Sequence, residues 1–245
     1  LGTAGKDNAH LLHATGYGIR DTAMNTLQRL SLTALMTTFL ASGGPVLADD
    51  LDTRVASVLK KTPLIDGHND LPWQYHRRVN NHLLKLDLAL DLSQIENPTH
   101  TDIPRLRRGM VGGLFWSVYV PIDRYGGSAN AVQAVMNQID LVKRLINHYD
   151  RDFELALDAG SVRRIHASGK IASLIGMEGG HSINNSLASL RQLYDLGARY
   201  MTLTHSKGLL WADSATDVAR HDGLTAFGEL VVQEMNRLGM LVDLS

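Results

Sequence analysis

The chain has 245 residues, of which 44% are hydrophobic and 20% charged, a composition suited to a soluble globular fold of one large domain or two small ones. A formal net charge of −1 gives no electrostatic case for nucleic acid or an anionic membrane surface as a partner. There are no cysteines, which excludes disulfides, thiolate metal sites and cysteine nucleophiles; eleven histidines remain, and position must decide among them.

The N-terminus reads as processing sequence. Residues 1–23 carry no initiating Met and no apolar periodicity, and are read as non-native upstream sequence. Met24 to Arg29 is a short basic start, Leu30 to Ala41 is mostly apolar, Gly43-Gly44-Pro45 breaks it, and Val46-Leu47-Ala48 has the small-residue spacing of a cleavage site. This pattern predicts a signal peptide over 24–48, cut after Ala48, and so an exported, periplasmic or extracellular protein. The competing expectation is an uncleaved N-terminal anchor, although the apolar segment is short and rich in Thr and Ser for a membrane span. Residues 49–245 are then the domain.

A helix is predicted from Leu51 to Lys61, ended by Pro63. The stretch Pro63-Leu64-Ile65-Asp66-Gly67-His68-Asn69-Asp70-Leu71-Pro72-Trp73 is an apolar strand running into a Pro-Trp turn. With a side-chain period of two, His68 and Asp70 lean to one side, where an imidazole nitrogen and a carboxylate oxygen can take a divalent metal. The bland alternative is an exposed His and Asp in a polar turn. Residues 74–108 read as polar and irregular, with Arg77-Arg78 and Arg105 to Arg108 as solvated charge. Gly112 to Val120 reads as a strand buried on both faces. Ser128 to Tyr149 is a long helix whose apolar face is Val132, Val135, Met136, Ile139, Leu141, Val142 and Leu145. A short helix over Val162 to Ser168, a strand over Ile171 to Met177 and a helix over Ser186 to Leu196 follow. Then come a strand from Tyr200 closed by His205, a helix from Thr225 to Leu238 and a strand from Met240 to Leu244.

This alternation of strand and helix predicts an α/β fold with a parallel sheet. There is no GxGxxG after the first strand and no P-loop lysine motif. Three strand ends instead carry metal-type ligands: His68 with Asp70, then Glu178, then His205. Ligands at successive strand ends suit a (β/α)8 TIM-like barrel, incomplete here with about five strands; an open doubly wound sheet is the alternative. A carboxylate at a buried strand end needs a partner, and Glu178 gains one either from a bound cation or from amides of the Gly179-Gly180 turn. His181 lies past those glycines and reads as a turn-orienting residue. His205 is left between two roles, metal ligand or donor to a developing oxyanion.

These motifs carry a resemblance. Leu64 to Pro72, Gly113 to Tyr119, Gly176 to Ser182 and Tyr200 to Ser206 look like the membrane (renal-type) dipeptidase family, and Trp211-Ala212-Asp213 and Asn236 to Ser245 match as well. The resemblance covers about Thr62 to Ser245. It implies a metal-dependent hydrolase barrel with two Zn2+ ions that cleaves small dipeptides and tolerates a D-residue at the C-terminal position; some members also open β-lactam rings. Its His-x-Asp differs from the His-x-His of most of the wider amidohydrolase group. By position, the family implies that His68 and Asp70 bind one zinc, that Glu178 bridges both and is catalytic, and that His205 touches the substrate carbonyl oxygen in the transition state. Trp73 is assigned to substrate binding, and a homodimer is compatible with the family.

In the family, further zinc-binding histidines, a proton-transferring Asp and an Arg for the substrate carboxylate follow the strand matching Val242 to Ser245. The sequence is therefore expected to be the N-terminal part of a longer enzyme, inactive by itself. Two other outcomes stay open: a truncated remnant or binding module, and a different amidohydrolase such as a deacetylase or lactonase. The last class usually bridges its metals with a carboxylated Lys, and no Lys ends a strand here.

Overall fold

The computed structural model describes residues 46–126 and 128–245. The predicted upstream stretch and the leader, apart from Val46 to Ala48, lie outside the described residues. Among the described residues no helix is long and apolar enough to cross a membrane. Thr53–Ser245 forms one compact unit.

Helix α1 (Val46–Lys61) precedes strand β1 (Leu64–Asn69). Helix α2 (Leu71–Val79) begins directly after it, so the expected Pro-Trp turn is helical instead. Pro72 sits in the first turn, where a missing N–H costs nothing and a fixed φ favours the helix. Asn80 ends α2 in the left-handed conformation, with φ 48°.

The stretch before helix α3 (Ile103–Arg108) has little regular structure but is well anchored. Leu86, Leu88 and Leu92 are buried in the main core. Fully buried Asp102 caps α3 by accepting from the Arg105 amide at 2.8 Å, and also holds the Leu92 amide and the Arg105 Nε. The arginines here are not plain solvated charge: Arg105 pairs with Asp102, and Arg107 with Asp152.

Strand β2 (Val111–Tyr119) is followed by the short helix α4 (Ile122–Tyr125) and the long helix α5 (Ala129–His148). The face that α5 buries is Ala131, Val135, Gln138, Ile139, Leu141, Val142, Leu145 and Ile146. Met136, expected on that face, is exposed. A strand absent from the sequence reading, β3 (Phe153–Leu155), leads into helix α6 (Ala159–Ala167) and strand β4 (Ile171–Glu178). Helix α7 (Leu187–Asp195), strand β5 (Ala198–Thr202), helix α8 (Ala226–Leu238) and strand β6 (Leu241–Asp243) complete the chain.

All pairings between these strands are parallel, in the order β1-β2-β4-β5-β6. β3 pairs with the first residues of β4, and β5 with the later ones. The period of two sorts the side chains onto two faces. Leu114, Trp116 and Val118 of β2 join Val135, Ile139 and Val142 of α5 in the main core. Phe115 of β2, Ala172 and Leu174 of β4 and Tyr200 of β5 form a second cluster on the other face. That face is concave: the Tyr200 hydroxyl on β5 reaches His68 on β1, past two intervening strands, at 2.8 Å. The architecture is a curled parallel half-barrel of the TIM type, as the alternation of elements predicts.

The turn after β4 is packed without slack. A Cβ on Gly180 would stand 2.5 Å from the Leu203 carbonyl oxygen and 2.5 Å from the Trp211 ring. Gly180→Ala is therefore expected to lose about 1–3 kcal/mol of stability, as overpacked sites do. A denaturation midpoint equal to wild type would show that this turn can shift freely.

Candidate metal centre

β1 does not end as a plain strand. Its pairing with β2 slips between Asp66 and Asn69, a bulge that re-aims the side chains at its tip. Short bonds fix the bulge. Asp66 accepts from the His68 amide at 3.1 Å and from Asn69 Nδ2 at 2.9 Å. Asn69 Nδ2 also donates to Thr101 Oγ1 at 3.0 Å. Asp70 then occupies the N-cap position of α2, yet its side chain makes no capping bond. A preferred capping residue that leaves the helix amides alone has its carboxylate free for another partner. That partner is His68, whose Nε2 lies 3.3 Å from Asp70 Oδ1.

Glu178 is the last residue of β4 and its side chain is 14% exposed. Its Oε2 is 3.4 Å from His68 Nε2 and accepts from Ser117 Oγ of β2 at 3.0 Å. Its Oε1 is 3.4 Å from His205 Nε2. The Gly180 amide, which could have satisfied the carboxylate, donates to Leu203 O instead. His205 lies three residues past the end of β5, in the loop rather than on the strand, with its carbonyl held by Ser214 Oγ at 2.7 Å. That loop is staked by Asp213, which accepts from the amides of Arg220, His221 and Gly223; these donors hold its carboxyl down at about 2.

The fold brings His68, Asp70 and Glu178 to one point: one ligand atom from each lies within 4.8 Å of the others. The donor set, one imidazole nitrogen and two carboxylates, suits a zinc-like divalent cation. Electrostatics agrees. Hydrogen bonds to Asp70 and then Glu178 outweigh burial and push His68 up to about 10. The His68 contact in turn lowers Asp70. The cluster thus has an excess of negative charge that wants a cation, and without one it takes a proton. His68 above its ordinary 6.5 stabilises the cation-free fold fully below that pH and loses the contribution as pH rises through about 10. A metal must displace that proton, so its binding strengthens as pH rises.

His181 is buried, and its Nε2 stands 2.8 Å from the Val120 carbonyl oxygen; burial lowers its pKa. It ties the β4 turn to the end of β2, as a turn-orienting residue would. Trp73 on α2 is set one ring back from the cluster: it packs edge-on against Tyr119 at 5.1 Å, and Tyr119 packs against His205 at 5.3 Å. Tyr119, Ser117, Asn69 and Tyr200 are site residues that the sequence reading did not single out. The signal for the two β2 residues was their parity, since Ser117 and Tyr119 alternate with the core residues Trp116 and Val118.

A His, Asp and Glu group that could hold a metal ion, at the C-terminal ends of a barrel-type parallel sheet, stands where barrel enzymes build their sites. The chain belongs to the membrane dipeptidase family (Peptidase family M19), whose sequence profile matches residues 52–245. Among solved structures it is similar to a dipeptidase described as a metallo peptidase of that family, at 25% identity, TM-score 0.62, over 76% of this chain and 56% of that one. It is also similar to a metallo peptidase from Rhodobacter sphaeroides liganded with a phosphinate mimic of the dipeptide L-Ala-D-Ala, at 26% identity, TM-score 0.59, over 76% of this chain and 59% of that one. The probable dipeptidase PvdM from Pseudomonas aeruginosa shares the fold, at 16% identity, TM-score 0.62, over 79% of this chain and 49% of that one. The chain thus spans about half to three-fifths of the length of these structures.

Proposed function

We propose that this protein hydrolyses dipeptides with two zinc ions held at the strand ends. The observation that carries the reading is the convergence of His68, Asp70 and Glu178 within 4.8 Å at the rim of the sheet. Family membership supports the substrate class, as does the similarity to a peptidase that binds a mimic of L-Ala-D-Ala. Because the chain spans about half to three-fifths of these relatives' length, the activity is proposed for the full-length protein.

Bound there, the zinc ions supply Lewis-acid polarisation of the scissile carbonyl and a water acidified from a pKa of about 15.7 to about 7. His68 Nε2 and an Asp70 oxygen would hold one ion. Glu178, with one oxygen towards His68 and the other towards His205, would share its carboxylate between the two ions. Ser117 steadies that carboxylate by donating to Oε2. His205 Nε2 donates to the carbonyl oxygen as negative charge gathers on it. Tyr119 meets His205 edge-on and would border the substrate, with Trp73 packed behind it.

The test is to express the full reading frame and follow bound metal together with release of amino acids from L-Ala-D-Ala. Turnover should vanish with chelation and return with zinc. Turnover that survives complete metal removal would overturn the reading. We propose export as well, on the leader pattern of Met24 to Ala48. Mature protein recovered from a bacterial periplasm should begin at Asp49; an intact N-terminus in the membrane fraction would favour the anchor.

A further inference from the structure

Tyr200 belongs to the buried cluster on the concave face, yet its hydroxyl leaves that cluster. It is an inward residue of β5, paired in register with Gly176 of β4. Its ring covers that glycine: a Cβ on Gly176 would stand 2.0 Å from the ring. Phe115 of β2 packs against the ring at 5.0 Å between centroids. Bare backbone at 176 and an aromatic prop at 115 thus fix the direction of the ring. Its hydroxyl ends 2.8 Å from His68 Nδ1. The other ring nitrogen of His68, Nε2, is the atom that faces Asp70 and Glu178.

An imidazole offering Nε2 to a metal must carry its proton on Nδ1, and an acceptor at Nδ1 fixes both tautomer and ring plane. Most such acceptors are carboxylates or backbone carbonyls. Among the described residues, the hydrogen-bond partner of Nδ1 is the Tyr200 hydroxyl. The chain separation is large: β1 delivers the ligand, β5 delivers its support, and the two strands meet only because the sheet curls.

We infer that Tyr200 is a positioning residue for the metal centre, its hydroxyl oxygen accepting from His68 Nδ1–H and presenting Nε2 to the cation. The inference rests on the proposed metal-dependent reading. It predicts that the hydroxyl, not the ring, carries the effect. Tyr200→Phe keeps the packing on Gly176 and Phe115 and removes the single acceptor.

The experiment uses the full reading frame, wild type and Tyr200→Phe, with zinc affinity measured by competition against a chelator. Affinity should fall by about 10–100-fold, the usual cost of removing an outer partner of a ligating histidine. The melting temperature of the zinc-free protein should stay close to wild type. In the zinc-bound protein, the His68 Nδ1 proton should be visible and slow to exchange with solvent in wild type, and faster to exchange in the variant. A merely structural role would do the reverse, lowering the zinc-free melting temperature while leaving affinity and exchange alone, and would overturn the inference. Wild-type affinity in the variant would overturn it too, with the metal-dependent reading intact. Failure of the wild-type protein to bind zinc at all would remove both.

Discussion

Glu178→Gln should strip the centre of most of its zinc and reduce turnover by about a thousandfold or more. The substitution keeps the shape and the Ser117 contact but removes the negative charge that both sides of the site share. Oε2 faces His68 and Oε1 faces His205, so no other carboxylate among the described residues reaches both flanks. The Lewis acid contributes several kcal/mol to transition-state stabilisation, and about 4 kcal/mol corresponds to about 10³ in rate. The fold should survive, because Glu178 is at the rim, part-exposed, with no role in the main core. Metal analysis, turnover of L-Ala-D-Ala and circular dichroism on the purified variant check the three parts. Normal zinc content with a near-normal rate would refute a bridging carboxylate.

What the sequence shows of this site follows from the period of a strand. His68, Asp70 and Glu178 can be located because each falls where an apolar run stops, and the rim of a parallel sheet is where such ends gather. Tyr200, Ser117 and Tyr119 do not fall at such ends; parity gives the face of Ser117 and Tyr119 but not their neighbours. They sit inside apolar runs, and an inward Ser or Tyr in Gly112 to Val120 looks like one more buried position. Their meaning depends on which strand lies across from them. Tyr200 meets His68 across a separation of 132 residues, and only the strand order and the curl of the sheet bring them together.

The fold-level misses have local causes. The Pro-Trp turn expected after β1 is the first turn of α2, because Pro disrupts a helix interior and not its first turn. β3 has three residues, too few to display a period. The leucines at 86, 88 and 92 follow no regular spacing, since the chain that carries them is held by side chains, the Tyr75 and Tyr149 hydroxyls and the buried Asp102 carboxylate, and not by a helix or sheet ladder. Met136 shows that an apolar residue beside a buried stripe need not belong to it: the buried run 131, 135, 138, 142, 145 leaves it on the flank.

His205→Ala and His68→Ala should fail in different ways. The two imidazoles flank the same carboxylate at the same 3.4 Å, so distance alone does not separate a ligand from a donor. Their surroundings do. His68 has Asp70 beside it, on the same strand end, and an acceptor behind Nδ1 that leaves Nε2 free for a cation. His205 has neither: it lies in a loop, its Nδ1 is buried with no hydrogen-bond partner among the described residues, and its ring meets the edge of Tyr119. A donor that acts on the developing oxyanion contributes in the transition state and little in the ground state. His205→Ala should thus keep close to wild-type zinc content and melting temperature and lose about 10²–10³ in kcat, the usual cost of one oxyanion donor. His68→Ala should lose zinc first and activity in consequence, with part of the rate restored by excess zinc, since Asp70 and Glu178 still offer oxygens. Metal analysis and kinetics on the two variants side by side decide between the roles. A zinc-depleted His205→Ala would make His205 a ligand and reverse the assignment.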